Sequence, residues 1–249
     1  MFEFELSFIS KKSNRLSKAT LVGCRQGDLP PQGIVDFLTE PENKQYISYE
    51  FKKRKDDFLL GRFCAKQALS KFSGDPAFLN FEITNGIFNQ PVIRSSRVEP
   101  LSLSLSHSNG QSFALVCDLV NPICIDCESI QEIAIKPIVA TLGPVEKELP
   151  NSLSERFDSA IVPIVIWTLR EALGKALNCG LSVKNGILEV ASLSSLSKSI
   201  LMAEYLNFSH FRGISFATKA MIFSLSVPKE LEIVDPSALQ IGLTSYLES

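Results

Sequence analysis

Apolar residues in the stretch 164–180 recur with the period of an α-helix. Five of them fall on one face at spacings i, i+4, i+7, i+8 and i+11: Val165, Leu169, Ala172, Leu173 and Ala176. Pro163 stands where a first helical turn begins, and Gly180 stands where a helix stops. Polar or amphipathic side chains at steps of four mark another face: Trp167, Glu171 and Lys175. The pattern predicts a core-packed helix. If Glu171 and Lys175 formed an exposed ion pair, the pair would stabilise the helix by only about 0.3–0.5 kcal/mol.

The same patterning predicts the other elements of the chain. A second long helix is predicted over 56–72, and Thr39 followed by acids and Pro41 marks a helix start that runs on to Lys55. Strand-like runs cover 1–8, 20–24, 78–84, 101–106, 112–119, 122–128, 186–191, 213–218 and 220–227. Asn109 and Gly110 predict a turn between two of these strands. The Ser-rich run 192–199 is interpreted as a loop with a helical turn.

An internal repeat appears when the two predicted helices are aligned. Residues 65–71 match residues 169–175 at an offset of 104. The predicted fold is therefore α+β, a pseudo-dimer of two similar lobes, each a small antiparallel sheet packed on a long helix, over 1–116 and 117–249. The expected site lies in a cleft between the lobes. Because Gln67 stands opposite Glu171, one competent site per chain is expected rather than two.

Composition and charge narrow the classes of function. The chain has 249 residues, 45% hydrophobic and 21% charged, which is typical of a folded protein. A net charge of −2 gives no overall basic surface for nucleic acid. No signal peptide or membrane-spanning apolar run is recognised. The six cysteines therefore predict reduced thiols in a cytoplasmic protein.

Three acidic residues form a candidate metal site. Asp126 and Glu128 are two apart in a strand-like run and so share one face. Glu171, on the predicted helix, can approach that strand. Carboxylate oxygens with room left for water and phosphate suit Mg²⁺. The alternative at this stage is three independent surface acids.

Several cations and one histidine are candidates for anion binding. His107 ends a strand-like run beside Ser106. Arg62 and Lys66 share a helix face, where their like charges would repel unless an anion or carboxylates lay opposite. A hydrogen-bonded structural histidine and a solvated basic surface at 52–55 are the alternatives. The Cys124 and Cys127 pair lacks further zinc ligands, and no glycine-rich dinucleotide or P-loop motif is present.

Taken in order, five segments resemble the larger, monomeric class of 4′-phosphopantetheinyl transferases, which prime carrier proteins from coenzyme A. They are residues 53–69, 89–92, 105–108, 125–128 and 167–175, and the resemblance spans about 36–190. Three positions depart from the family pattern. Cys124 replaces a glycine, Cys127 an aliphatic residue, and Arg170 a lysine.

The resemblance implies a role for each candidate residue. Asp126, Glu128 and Glu171 would hold Mg²⁺ on the pyrophosphate, with Glu171 also the base and Lys175 a stabiliser of the leaving phosphate. The implied coenzyme A contacts are Arg54, Arg62, Lys66, Ser106 and His107. The nucleophile would be a serine of an apo acyl or peptidyl carrier protein from fatty-acid, polyketide or nonribosomal-peptide synthesis. A monomer is expected, with neither nucleic acid nor membrane as a partner.

Two other functions stay open at this stage. One is a coenzyme A-binding or carrier-binding module of the same fold that has lost catalysis, motivated by the departures at Cys124 and Arg170. The other is a Mg²⁺-dependent phosphohydrolase, for which three acids alone would suffice. Retention of Asp126, Glu128 and Glu171 favours the transferase over the inactive module.

Overall fold

The computed structural model describes residues 1–31, 36–95, 100–152 and 158–249. The chain divides into two compact units, one of residues 1–6 and 18–121 and the other of residues 7–17 and 122–249. Each unit has its own apolar core between helices and an antiparallel sheet. The predicted α+β class is thus confirmed.

In the first unit, a 22-residue helix packs on an antiparallel sheet. Strands β1, β2, β6 and β5 are neighbours in that order, while β3 and β4 form a separate hairpin. Buried Leu60, Phe63 and Leu69 bring α2 against the sheet. The elements in chain order are β1 (Phe2–Ser10), β2 (Leu16–Arg25), α1 (Glu40–Ser48), α2 (Lys52–Ser73), β3 (Glu82–Asn85), β4 (Pro91–Arg94), β5 (Leu101–Ser108) and β6 (Gln111–Asp118).

The second unit repeats this plan with helix α5 on a sheet of order β7-β11-β10-β9-β8. Strand β12 pairs with residues 8–10 of β1, the part of that strand that belongs to this unit. The elements are β7 (Cys124–Ser129), α3 (Ile135–Thr141), α4 (Pro144–Ser152), α5 (Val162–Ala176), β8 (Val190–Ser195), β9 (Ile200–Tyr205), β10 (Phe211–Ala217), β11 (Met221–Pro228), β12 (Leu231–Ile233) and α6 (Pro236–Glu248). Among the described residues, no helix combines the length and apolar character needed to span a bilayer.

Local sequence signals explain the turns and caps that were predicted correctly. Asn109 and Gly110 both adopt positive φ, at 51° and 67°, and join β5 to β6 in a tight hairpin. Thr39 caps α1 through a capping box with Glu42, whose carboxylate accepts from the Thr39 backbone N–H at 2.8 Å. These two features fix where α1 begins and where β5 turns into β6.

Several element predictions were wrong, among them the strand over 186–191, of which only Val190 and Ala191 belong to β8. The helix expected to run from Thr39 to Lys55 breaks at Tyr49, which is extended with ψ 132°, and α2 starts afresh at Lys52. The Ser-rich run 192–199 forms the end of β8 and the turn into β9. Leu193 of this run is buried, and most of the serines in the run face outward. The run 78–84 begins as a short 3-10 turn, and only its end joins β3.

Helix α5 ends at Ala176, before the predicted stop at Gly180. The chain then turns back on the helix, and the N–H groups of Cys179 and Gly180 donate to the Gly174 carbonyl at 2.9 and 3.0 Å. Gly180 has φ 54°, and a Cβ on Gly174 would lie 2.5 Å from the Gly180 carbonyl oxygen. Both glycines are therefore required for this close return.

The internal repeat extends well beyond the seven residues that indicated it. Helix α1 begins at residue 40 and α4 at residue 144, both are nine residues long, and they are 104 positions apart. Strand β7 lies 104 positions after residues 20–25 of β2. Strands β10 and β11 begin 110 positions after β5 and β6, and with that spacing the register agrees as well: Cys24 pairs with Ser112 in the first sheet, and the corresponding residues Glu128 and Ile222 pair in the second. The two units are therefore two copies of one structural plan.

Candidate active site

A cleft of about 150 Å³ in the first unit brings together four of the predicted coenzyme A-binding residues. Arg54 and Arg62 reach it from α2, and Ser106 and His107 reach it from the end of β5. The tight β5–β6 turn places Ser112 directly opposite His107 in the strand register. The cleft therefore combines cations with small hydroxyl groups.

Aromatic rings hold the two arginines at the cleft. The Arg54 guanidinium lies 5.4 Å from the centre of the Tyr49 ring, and that of Arg62 lies 4.7 Å from the centre of the Phe58 ring. Flat cations stacked on rings keep their N–H edges available for an anion. Both rings also line the cleft, so they offer apolar surface to a flat ligand group.

Arg62 is a buried cation whose hydrogen-bonding capacity is not filled by the described part of the chain. The residue is only 6% exposed, and its Nε has no hydrogen-bond partner there, lying 3.6 Å from the Glu42 carboxylate. Burial lowers the pKa of the guanidinium, and the Glu42 charge opposes that shift. Ser112 is 1% exposed, and its hydroxyl oxygen likewise has no partner among the described residues. Buried polar groups of this kind are usually satisfied by a ligand or water.

Lys66 does not join this cleft. Its ammonium is fully buried and donates to the Glu42 carboxylate at 2.6 Å and to the carbonyls of Phe78 and Phe81 at 3.3 and 2.8 Å. Burial lowers the pKa of Lys66, and Glu42 opposes this. These three contacts direct the Lys66 ammonium into the fold, so the structure does not bring it together with Arg54 and His107.

A second group of predicted residues meets in the other unit, between β7 and α5. The Lys175 ammonium donates to Asp126 Oδ1 at 2.7 Å and to the Ile125 carbonyl at 3.1 Å. Glu128 lies two residues along the same strand, and Glu171 lies one helical turn before Lys175. The structure thus brings Asp126, Glu128, Glu171 and Lys175 into one charged group.

The electrostatics of this group are unbalanced towards negative charge. Burial, followed by repulsion from Asp126 and Glu128, raises the pKa of Glu171 to about 7, although Lys175 acts in the opposite direction. For Lys175, burial alone would lower the pKa, but the attraction of Asp126 outweighs it and the pKa is raised. A carboxylate with a pKa near 7 is suited to accept a proton at neutral pH.

The donor chemistry of this group fits a hard divalent cation, because all three acids offer oxygen ligands. In the described ranges, however, no three or more His, Cys, Asp or Glu side chains are arranged to hold a metal ion. One Asp126 oxygen is bonded to Lys175 instead. The Mg²⁺ ligand set therefore stays a prediction.

Comparison with known proteins identifies the chain's relatives, although no family model matches it. A holo-[acyl-carrier-protein] synthase of Bacillus cytotoxicus is 36% identical over 97 residues, which are 36% of this chain and 79% of the relative. One from Bacillus cereus is 35% identical over 81 residues, 30% of this chain and 68% of the relative. One from Lactococcus lactis is 33% identical over 89 residues, 33% of this chain and 75% of the relative.

The chain belongs to the holo-[acyl-carrier-protein] synthase-like family of 4′-phosphopantetheinyl transferases. Among solved structures, the Bacillus anthracis synthase in complex with coenzyme A (3′,5′-ADP) is 22% identical. The matched region covers 45% of this chain and 96% of the Bacillus anthracis chain, with a TM-score of 0.35. The Helicobacter pylori synthase in complex with coenzyme A is also 22% identical and covers 39% and 96%, with a TM-score of 0.33.

The two copies of the repeat in this synthase-like chain carry different side chains at corresponding positions. The cleft positions Gly61, Arg62 and His107 correspond to Val165, Ile166 and Ala217, of which the valine and isoleucine are fully buried in the second core. Conversely, the acid positions 126, 128 and 171 correspond to apolar or uncharged side chains in the first unit: Val22, Cys24 and Gln67. At these positions, therefore, the cationic cleft has no counterpart in the second unit and the acidic group has none in the first.

The residues that line the cleft but were not predicted as site residues include Tyr49, Asp57 and Ser112. Tyr49 lies in the break between α1 and α2, which sequence patterning read as continuous helix. Ser112 could have been found from the predicted hairpin, because pairing across the Asn109 and Gly110 turn places it opposite His107. Asp57 carried no distinguishing signal among its charged neighbours.

Proposed function

We propose that the protein transfers 4′-phosphopantetheine from coenzyme A to a serine of an apo carrier protein and releases 3′,5′-ADP, as a Mg²⁺-dependent enzyme of the larger, monomeric class. The observation that carries the proposal is the group of Asp126, Glu128, Glu171 and Lys175, in a chain related to holo-[acyl-carrier-protein] synthases. Family membership supplies the reaction class, and this group supplies acid–base and phosphate-binding chemistry.

The first unit would bind the nucleotide part of coenzyme A. The stacked guanidinium groups of Arg54 and Arg62 suit phosphate oxygens, which they can meet with paired N–H donors. His107 and the hydroxyls of Ser106 and Ser112 add further donors on the opposite wall. In this arrangement Arg54 contacts the 3′-phosphate, while Lys66 supports the fold through Glu42.

The second unit would carry the reaction. Asp126, Glu128 and Glu171 are the residues that would hold Mg²⁺, which neutralises charge on the pyrophosphate when bound. The raised pKa of Glu171 reflects crowding of negative charge that a divalent cation would relieve. Lys175 compensates part of that negative charge by donating to Asp126.

Glu171 would act as the base. It removes the proton from the carrier's serine hydroxyl as the serine oxygen bonds to the phosphorus that bears the pantetheine arm. The bond from that phosphorus to the bridging oxygen of the pyrophosphate breaks, and the electron pair leaves with 3′,5′-ADP. Lys175, one turn further along α5, stabilises the charge that develops on the leaving phosphate.

The structure also bears on the alternative of an inactive binding module. Arg170, one of the two departures that motivated it, retains a buried ion pair with Glu146 and so does not disrupt α5. Cys124, the other departure, is buried in strand β7 and leaves Asp126 and Glu128 in the same regular strand. Neither substitution removes a group that the proposed reaction needs.

One assay tests the proposal directly. The protein is incubated with coenzyme A, Mg²⁺ and a panel of apo carrier proteins from fatty-acid, polyketide and peptide synthesis, and each carrier is weighed by mass spectrometry. We expect at least one carrier to gain the mass of phosphopantetheine. If no carrier in the panel gains mass, the proposed activity is wrong.

A pair of matched variants locates the chemistry in that assay. Glu171→Gln keeps the size of the side chain but cannot accept the proton, so it should abolish transfer while coenzyme A still binds. Gln67→Ala alters the corresponding position of the other unit and should transfer at the wild-type rate. Near-wild-type transfer by the Glu171 variant would refute its assignment as base and ligand.

A further inference from the structure

Gly61 lies in the interior of α2, where neither its backbone conformation nor the packing of the described residues requires a glycine. Glycine weakens a helix relative to alanine because it gives up more backbone freedom on folding. Gly61 is not among the residues with positive φ, so its backbone does not require glycine. A Cβ built on it would meet no described atom within 4 Å, so packing within the fold does not require glycine either.

The glycine of the other long helix shows what a packing requirement looks like. A Cβ on Gly174 of α5 would lie 2.5 Å from the carbonyl oxygen of Gly180, so the returning chain excludes any side chain there. Position 61 faces open space instead. That space is the cationic cleft, because Gly61 is one of the residues that line it.

The surroundings of Gly61 indicate what fills the space. Arg62 follows it directly, and Phe58 and Arg54 precede it by three and seven positions, so one stripe of α2 faces the cleft. The buried Arg62 Nε and the buried Ser112 hydroxyl both lack hydrogen-bond partners in the described part of the chain. These groups would be satisfied by an anionic ligand lying along the helix.

We infer that Gly61 is the point where the phosphorylated ribose of the nucleotide passes directly against the backbone of α2. The missing side chain lets the ligand approach closely enough for Arg54 and Arg62 to reach its phosphates together. The inference rests on the proposed function, since it takes the nucleotide of coenzyme A as the occupant of the cleft. Gly61 is then a residue that determines how closely the nucleotide approaches the helix.

The test is Gly61→Ala, with Gly27→Ala as the matched control. Gly27 also has open space around a built Cβ and no positive φ, but it does not line the cleft. Binding of 3′,5′-ADP is measured by calorimetry and melting temperature by circular dichroism. We expect Gly61→Ala to bind about tenfold more weakly. We also expect its melting temperature to be unchanged or raised by about 2–4 °C, because alanine favours a helix.

The outcomes separate this inference from the function on which it rests. If wild type binds 3′,5′-ADP and Gly61→Ala binds within about twofold of it, the close approach is refuted while the proposed function stands. Absence of binding by wild type overturns both. A lower melting temperature for Gly61→Ala would show that position 61 is packed and would also refute the inference. Gly61→Leu, with a longer side chain, should bind more weakly than the alanine variant.

Discussion

Glu146 and Arg170 form a buried ion pair that repeats, 104 residues later, the pair formed by Glu42 and Lys66. Each glutamate also accepts from the backbone N–H at its helix start, Thr39 at 2.8 Å and Gly143 at 3.0 Å. Glu42 also accepts from the backbone N–H of Ile83 in β3 at 3.1 Å, and Glu146 accepts from that of Val190 in β8 at 2.9 Å. The same three contacts therefore join a short helix, a long helix and a strand in both units.

This relationship predicts that a lysine can replace Arg170. Arg170→Met should lower the free energy of unfolding by about 3–5 kcal/mol, because it leaves the fully buried Glu146 carboxylate without its cation. Arg170→Lys should cost about 1–2 kcal/mol, because Lys66 makes the equivalent pair with Glu42, although lysine loses the two-pronged contact. Urea unfolding of both variants measures the difference. Equal losses would mean that the charge of residue 170 is unimportant for the pair.

The pKa of Glu171 predicts a stability cost that grows with pH. The pKa is about 7 in the folded protein and near its ordinary value of 4.5 when unfolded. The folded state therefore loses stability as pH rises from about 4.5 to 7 and the carboxyl ionises in a buried, negatively charged site. Without metal, Glu171→Gln should be more stable than wild type by about 1–3 kcal/mol at pH 8 and nearly equal to it at pH 4.5.

Magnesium provides the control for that experiment. If Asp126, Glu128 and Glu171 hold the cation, Mg²⁺ should raise the melting temperature of wild type at pH 8 and reduce the advantage of Glu171→Gln. A melting temperature of wild type that does not respond to Mg²⁺, with or without coenzyme A, would count against this ligand set. A stability difference that is independent of pH would show that Glu171 does not ionise in the range assigned to it.

The contact assigned to Arg54 predicts selective loss of affinity. Arg54→Ala should weaken coenzyme A binding about tenfold and dephospho-coenzyme A binding much less, because only the first carries a 3′-phosphate. Lys53→Ala is the matched control, since Lys53 is an exposed cation on the same helical turn that does not line the cleft. Calorimetric titration with both ligands measures the effect. An equal loss for the two ligands would place the 3′-phosphate elsewhere.

Long-period patterns and local caps made much of the fold predictable. The apolar stripe through Val165, Leu169 and Leu173 predicted α5, and all three side chains are fully buried. The short match at an offset of 104 predicted the duplication because both copies keep one core around their long helix. The break at Tyr49 was not predictable from periodicity, because apolar residues continue across it and tertiary packing decides where the helix stops.

The candidate site was predictable where chemistry and spacing coincide. Asp126 and Glu128 share a strand face by alternation, and Lys175 follows Glu171 by one turn. Lys66 was a weaker candidate that shares a helix face with Arg62 four residues earlier, and its ammonium is directed to Glu42. Sequence spacing places a side chain on a face of its own helix, whereas the partner on that face depends on contacts with residues far along the chain.

The hydroxyl of Ser112 predicts opposite effects on folding and on binding. It is buried on the cleft wall and has no hydrogen-bond partner among the described residues, so removing it leaves no protein group newly unsatisfied. Ser112→Ala should therefore leave the free energy of unfolding unchanged or slightly higher, while coenzyme A binds about tenfold more weakly because a hydrogen bond to phosphate is lost. Ser102→Ala on the adjacent strand β5, away from the cleft, is the control and should leave binding intact. Unchanged affinity of the Ser112 variant would show that its hydroxyl is satisfied by water rather than by the nucleotide.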